Sequence, residues 1–231
     1  MMPTRSRIPA GALFAIFVLV AEVHAAVPPT LDAALKSFRA DPPPGWSYTV
    51  TTAGDGRSTV ERCDAAKPEF DRWSLLHVDG RAPTADELSR YAENRSRRSR
   101  TGTAPRIVDQ LELDSLETIS EDPEHVRYRC RLRPGESSDK TAAFLRVTVT
   151  VHKPSQAIEA LELTNAGEFA PTLGVKVTEL RTEMLYARAT AEKPALPLKV
   201  TTRQRGTAFW IKSLDAEMTV TFSDYERAGK R

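Results

Sequence analysis

Few residues in this chain have the types and spacing that chemistry needs. Beyond residue 26 the histidines are His77, His125 and His152, and the cysteines are Cys63 and Cys130. A structural zinc shell takes four nitrogen or sulfur ligands in close-spaced pairs. No two of these histidines share such a spacing, and two cysteines alone do not close a shell. A nucleophile–base set is no better marked, because Gly-x-Ser-x-Gly, His-Glu-x-x-His and a Gly-rich phosphate loop are all missing from the sequence. Glu112 and Asp114 are near neighbours, yet they read as surface or turn carboxylates. The chain is therefore read as a non-enzyme needing neither metal nor cofactor. A hydrolase would have to gather its residues from distant segments.

The most regular chemical feature is a row of arginines. Val126-Arg-Tyr-Arg-Cys-Arg-Leu-Arg133 alternates without a fault. Val126, Tyr128, Cys130 and Leu132 share one strand face, and Arg127, Arg129, Arg131 and Arg133 the other. An all-Arg face cannot be buried, since unpaired buried charge costs several kcal/mol. It must lie outward beside acids on adjacent strands, for which Glu117, Glu159 and Glu162 are candidates. The chain has 33 basic and 31 acidic residues, a net charge of +2. That balance makes no case for nucleic acid, and no aromatic platform accompanies the arginines. A second basic run, Arg95 to Arg106, follows a helix. It reads as a solvated helix end, or as a patch for anionic lipid headgroups or an acidic partner surface.

The compartment comes from the N-terminus. Arg5 and Arg7 precede the apolar run Ile8 to Val20, which is short of the ~20 residues of a spanning helix, and Val23-His-Ala25 offers a cleavage site. Residues 1–25 are expected to be a cleaved signal peptide and 26–231 a single periplasmic domain. Export favours a Cys63–Cys130 disulfide, a staple that typically adds ~2–4 kcal/mol. The alternative is two separately buried thiols.

The elements that must position these groups are mostly strands. Thr30 to Arg39 reads as a short amphipathic helix with Leu31, Ala34, Leu35 and Phe38 on one face. Asp41-Pro-Pro-Pro-Gly45 stops it. Trp46 to Val50 and Arg57 to Cys63 form a hairpin around Ala53-Gly-Asp-Gly56. Leu75 to Val78 is a strand broken by Asp79-Gly80. Pro83-Thr84 then opens a helix to about Arg98, with Thr84 and Glu87 as a capping box. From Ile107 the chain alternates as sheet. Strands are expected over Leu111–Glu121, Val126–Arg133, Leu145–His152, Ile158–Thr164, Val175–Ala187, Leu198–Arg203, Ala208–Ile211 and Ala216–Phe222, with a break at Pro194–Pro197. A parity shift inside Val175–Ala187 predicts a bulge. Short turns and no intervening helix make neighbours antiparallel.

The expected fold class is thus mainly β (α+β): a strongly curved antiparallel sheet or incomplete β-barrel, with two or three helices covering its concave side. Its inner face would carry Tyr128, Val147, Val149, Met184, Tyr186, Met218 and Phe222. Filled by the helices, this concavity is only a core. Covered by a lid that carries Leu88 and Tyr91, it can take an acyl chain, at ~0.8 kcal/mol per buried CH₂.

This order of parts resembles the LolA/LolB-like family of periplasmic lipoprotein carriers: signal peptide, first helix, hairpin from Trp46, inserted helix after Pro83, then a meander. The Val78-Asp-Gly-Arg-Ala-Pro-Thr84 segment also resembles stretches in exported bacterial proteins near that family. The resemblance implies a half-barrel whose apolar cavity binds lipid or lipoprotein acyl chains without catalysis; peripheral membrane contact at most and a monomer are expected. The family's carrier holds its lid with an Arg on an early strand; Arg57 and Arg62 lie nearby here, and neither is assigned to that role. Its lipid-anchored acceptor begins at an acylated Cys, which this chain lacks. The alternative is a non-enzymatic cell-envelope protein that binds a partner through its Arg faces.

Overall fold

The computed structural model describes residues 27–97 in full and the backbone of 98–100. It continues with 107–133, 141–190, 192–209 and 211–229. The expected signal peptide lies outside the described residues, as does the end of the basic run beyond Arg97 apart from its helical backbone.

The strands are β1 (Trp46–Gly54), β2 (Arg57–Cys63), β3 (Trp73–Val78), β4 (Leu111–Glu121), β5 (His125–Leu132), β6 (Leu145–His152), β7 (Ala157–Asn165), β8 (Val175–Ala187), β9 (Leu196–Ala208), β10 (Lys212–Ser213) and β11 (Ala216–Arg227). They form one antiparallel sheet in the order β3-β2-β1-β11-β9-β8-β7-β6-β5-β4, with β10 hairpinned onto β9. The sheet is curved and unclosed, so the expected fold class holds. Each neighbour is joined by a short connection except where β11 returns beside β1.

The register carries one continuous row across the sheet. Val78, Thr59, Thr52, Val220, Val200, Met184, Leu161, Val149, Tyr128 and Thr118 are successive cross-strand partners and so share one face. That face is apolar from β5 to β8 and mixed from β9 to β3.

Helix α1 (Pro29–Ser37) covers the first half. It starts one residue before the expected Thr30, because Pro29 suits the first helical turn. Leu31 and Ala34 are fully buried against β6 and β7, and Phe38 meets Tyr186 edge-to-face with centroids 5.0 Å apart. The core is here: Val147, Val149, Val151 and Leu161 have no exposed surface.

Helix α2 (Ala85–Arg100) lies on the other half. Its start is capped as the sequence predicts: Thr84 N–H donates to Glu87 Oε2 at 2.8 Å, and Glu87 N–H donates to Thr84 Oγ1 at 3.3 Å. Arg81 clamps the same carboxylate at 2.8 and 2.9 Å. The turns also form as expected. Asp55-Gly56 and Asp79-Gly80 take positive φ at both residues, and Asp79 Oδ1 accepts the Ser58 N–H at 2.7 Å.

Two strand expectations need correction. The expected strand Leu198–Arg203 is part of one long strand, β9, that ends at Ala208, and of the expected strand Ala208–Ile211 only Ala208 lies in it. Pro197 does not break it, because it sits opposite Tyr186 at a bulge where its missing N–H removes no regular ladder bond. The parity shift in β8 does mark bulges, between Val177 and Glu179 and between Leu185 and Tyr186.

The disulfide is also corrected. Cys63 and Cys130 are both free and buried. Six strands separate β2 from β5 in the sheet order, and α1 occupies the inner side between them. The Cys130 thiol instead points to Val147 O at 3.9 Å.

Candidate functional site

The seven residues expected to line a cavity do share the inner face, but the two halves of the sheet use them differently. Tyr128, Val147, Val149 and Tyr186 are buried in the core beneath α1, and Met184 packs against it. Burial pushes the Tyr186 hydroxyl up to about 12. None of these five lines either of the two clefts beside α2. Met218 is 42% exposed near the β1–β2 turn. Met218 lines a shallow pocket of about 160 Å³ there, and the Phe222 ring lies 6.2 Å from that of Tyr48, a floor residue of the larger cleft beside α2.

The open space lies between α2 and β1–β3. A cleft of about 570 Å³ runs along one side of the helix, a size typical of small-molecule sites. Its floor is Trp46, Tyr48, Cys63 and Trp73, its outer wall is Tyr91, Ala92 and Arg95 of α2, and the Pro42–Gly45 turn closes one end. A second cleft of about 390 Å³ lies on the other side of α2, against Thr52, Thr59, Glu61 and Leu75. Tyr91 and Arg95 line both, so α2 is a ridge standing between two grooves.

The helix stands off because its sequence gives it little to bury. Between Ala85 and Arg97 its large apolar residues are Leu88 and Tyr91. Leu88 is 45% exposed and lines neither cleft, a correction to its expected role in the lid. Tyr91 does face the sheet. Beside it, the Arg95 guanidinium carbon lies 4.5 Å from the centre of the Trp73 ring of β3. Trp73 in turn meets Tyr48 edge-to-face at 5.6 Å.

The electrostatics of the cleft are set by burial and arginine. Tyr48 and Cys63 are cross-strand partners in its floor. Burial pushes the Cys63 thiol up, against the opposing pull of Tyr48, Arg72 and Arg95. Burial raises Tyr48 and Tyr225 as well. At neutral pH these groups stay protonated, so the floor carries no negative charge. Arg57 lines the second cleft and pairs loosely with Asp79 at 4.0 Å. Arg62 lies on the opposite face, held by Glu226 at 2.8 Å and by the Asp224 carbonyl at 2.9 Å. Of the two early-strand arginines, Arg57 is the one on the side of α2.

The polar clusters outside the clefts are accounted for within the sheet. Arg127, Arg129 and Arg131 pair with Glu162, Glu117 and Glu112 at 3.8, 3.4 and 2.6 Å. Glu159 departs from this pattern. It accepts from Arg188 and lies 3.0 Å from His125 Nε2. Burial would raise its carboxyl, but Arg188 and His125 outweigh that and hold it below the usual range. His152 Nδ1 is 2.7 Å from Ser155 Oγ, and its ring is 5.5 Å from that of His125. This set sits at strand ends outside both clefts, while His77 is exposed on β3. Among the described residues no group of His, Cys, Asp or Glu is placed to hold a metal ion, and no helix is long and apolar enough to cross a membrane.

The sequence reading missed most of the cleft. Alternation places Trp46 and Tyr48 on a strand, Trp73 precedes the expected Leu75–Val78 strand, and Arg95 belongs to the basic run that reads as a solvated helix end or a patch for anionic headgroups or an acidic partner. The available signal was aromatic density: two of the three tryptophans and two of the five tyrosines line this one cleft.

No family model and no curated protein matches the chain in sequence. Among solved structures it is similar to a LolA superfamily protein from Nitrosomonas europaea, at 8% identity over 87% of this chain and 93% of that one, with a TM-score of 0.36. A GphF dehydratase aligns at 13% identity over 87% and 82% of the two chains, with a TM-score of 0.18. Similarity at this level carries no functional assignment.

Proposed function

We propose that this chain is a periplasmic carrier for lipid or lipoprotein acyl chains, and that it binds them in the cleft between α2 and β1–β3. The observation that carries the proposal is the half-empty inner face. One half is closed by α1 into a packed core. The other is left open as an aromatic-floored cleft beneath a helix that meets the sheet through Tyr91 and the Arg95–Trp73 cation–π contact. An apolar chain entering it is removed from water at ~0.8 kcal/mol per CH₂. Tyr91 and Arg95 border both grooves, so a small shift of α2 enlarges one at the expense of the other. That suits a site which must admit and release its cargo.

The test is native mass spectrometry of the protein after incubation with a long-chain amphiphile, beside Ala92→Trp, which fills the cleft from the helix side. The wild type is expected to show ligand adducts and Ala92→Trp to lose them at unchanged thermal stability. Only apo mass for the wild type refutes the carrier.

A second reading is a cell-envelope protein that binds a macromolecular partner. The outer arginines do not favour it, since their carboxylates are already supplied. The observation in its favour is a set of exposed apolar residues, Leu173, Phe209 and Ile211, in the loops after β7 and β9. Leu173→Ser with Ile211→Ser removes that surface without touching the cleft. Partner capture lost in this variant, with amphiphile binding unchanged, selects the second reading.

A further inference from the structure

The cleft holds two guanidinium groups with no carboxylate to answer them. Arg72 donates from Nε to the Lys67 carbonyl at 3.1 Å, and Arg95 lies over Trp73. Neither makes an ion pair among the described residues, whereas Arg127, Arg129 and Arg131 on the outer face each have a carboxylate. Both line the larger cleft, and both act on the Cys63 thiol in its floor. Glu69 is the one acidic residue on that lining, and it is exposed at the rim.

In the empty cleft water solvates these cations. A neutral chain that filled the cleft would strip water from them and return nothing, which is costly for a charged group. A ligand with an anionic head compensates them, and guanidinium matches carboxylate and phosphate oxygens in a two-pronged geometry. We infer that the cleft selects an anionic amphiphile, with its chain on the Trp46–Tyr48–Trp73 floor and its carboxylate or phosphate head between Arg72 and Arg95. The inference rests on the carrier reading of the same cleft and adds the ligand's charge to it.

Equilibrium binding of dodecanoate, monododecyl phosphate and dodecanol tests it, on the wild type and on Arg72→Gln with Arg95→Gln. The wild type is expected to bind at least one anionic ligand tighter than dodecanol, on the order of tenfold. The double variant is expected to lose that preference, read as the ratio of anionic-ligand to dodecanol affinity on the same protein, so that any general loosening of α2 cancels. Arg72→Gln alone leaves the Arg95–Trp73 stack in place and is expected to lose part of the preference. Tighter binding of the phosphate points to a phospholipid source, and tighter binding of the carboxylate to a fatty acid. Equal binding of all three ligands, or a preference that survives in both variants, overturns the anionic selection and leaves an apolar site. Binding of none overturns the carrier reading as well.

Discussion

Arg95 on α2 lies 4.5 Å over the ring of Trp73 on β3, and this contact joins the helix to the sheet beside the cleft. A cation over an indole face contributes about 0.5–1 kcal/mol at a half-exposed site. Tyr91, one turn earlier, is the helix's other inward-facing large residue. The hold on α2 is therefore weak beside that on α1, whose Leu31 and Ala34 are fully buried. Arg95→Ala is expected to lower global stability by no more than about 1 kcal/mol. Amide hydrogen exchange in α2 should speed up well beyond that in α1. Equal protection of the two helices in the variant would contradict a weakly tethered α2.

The capping box at the start of α2 gives a pH signature. Arg81, then the Thr84 N–H, hold the Glu87 carboxyl down at about 2, against about 4.3 in an unfolded chain. Its contribution is complete above the unfolded value and is lost as pH falls toward 2. Glu87→Gln is expected to lower Tm at neutral pH. The gap from wild type should narrow as pH drops from about 4.5 to about 2. A gap independent of pH across that window would show that the charge on Glu87 does not matter to the cap.

The two halves of the inner face should respond differently to truncation. Leu161 has no exposed surface and sits between Val149 and Met184 under α1. Leu161→Ala is expected to cost about 2–5 kcal/mol in chemical denaturation, through lost transfer energy and the cavity left behind. Met218→Ala, at a position 42% exposed, should fall within about 0.5 kcal/mol of wild type. Similar costs at the two sites would mean that the sheet is packed alike on both sides.

The cysteines should behave as two independent thiols. Burial holds Cys130 up at about 11, with Glu112 adding to it. Cys63 is raised less, and it borders the cleft. Thiol labelling of the native protein, read by mass spectrometry, is expected to modify Cys63 first and Cys130 only on unfolding. Tm should be the same with and without reductant, because loss of a native disulfide would cost about 2–5 kcal/mol. A large drop in Tm on reduction would show that the two do pair.

The sequence by itself determined the skeleton and its faces. Period-two alternation places Val126, Tyr128, Cys130 and Leu132 inward and three paired arginines outward, because a strand has only two faces and charge cannot take the buried one. Asp79-Gly80 and the Thr84–Glu87 box set a turn and a helix start through local hydrogen bonds alone. What only the tertiary structure decided was which inner residues are filled over and which are left open. Tyr128 and Phe222 follow the same alternation rule, yet one lies in a sealed core and the other beside a cleft. The difference is the helix above them, and helix placement depends on contacts between residues more than a hundred positions apart, as between Phe38 and Tyr186. The cleft itself joins residue 46 to residue 95 through three strands and a helix. Arg95 was indistinguishable from its basic neighbours until the fold set it on Trp73. Local pattern encodes which way a side chain points, and only long-range packing decides what it meets there.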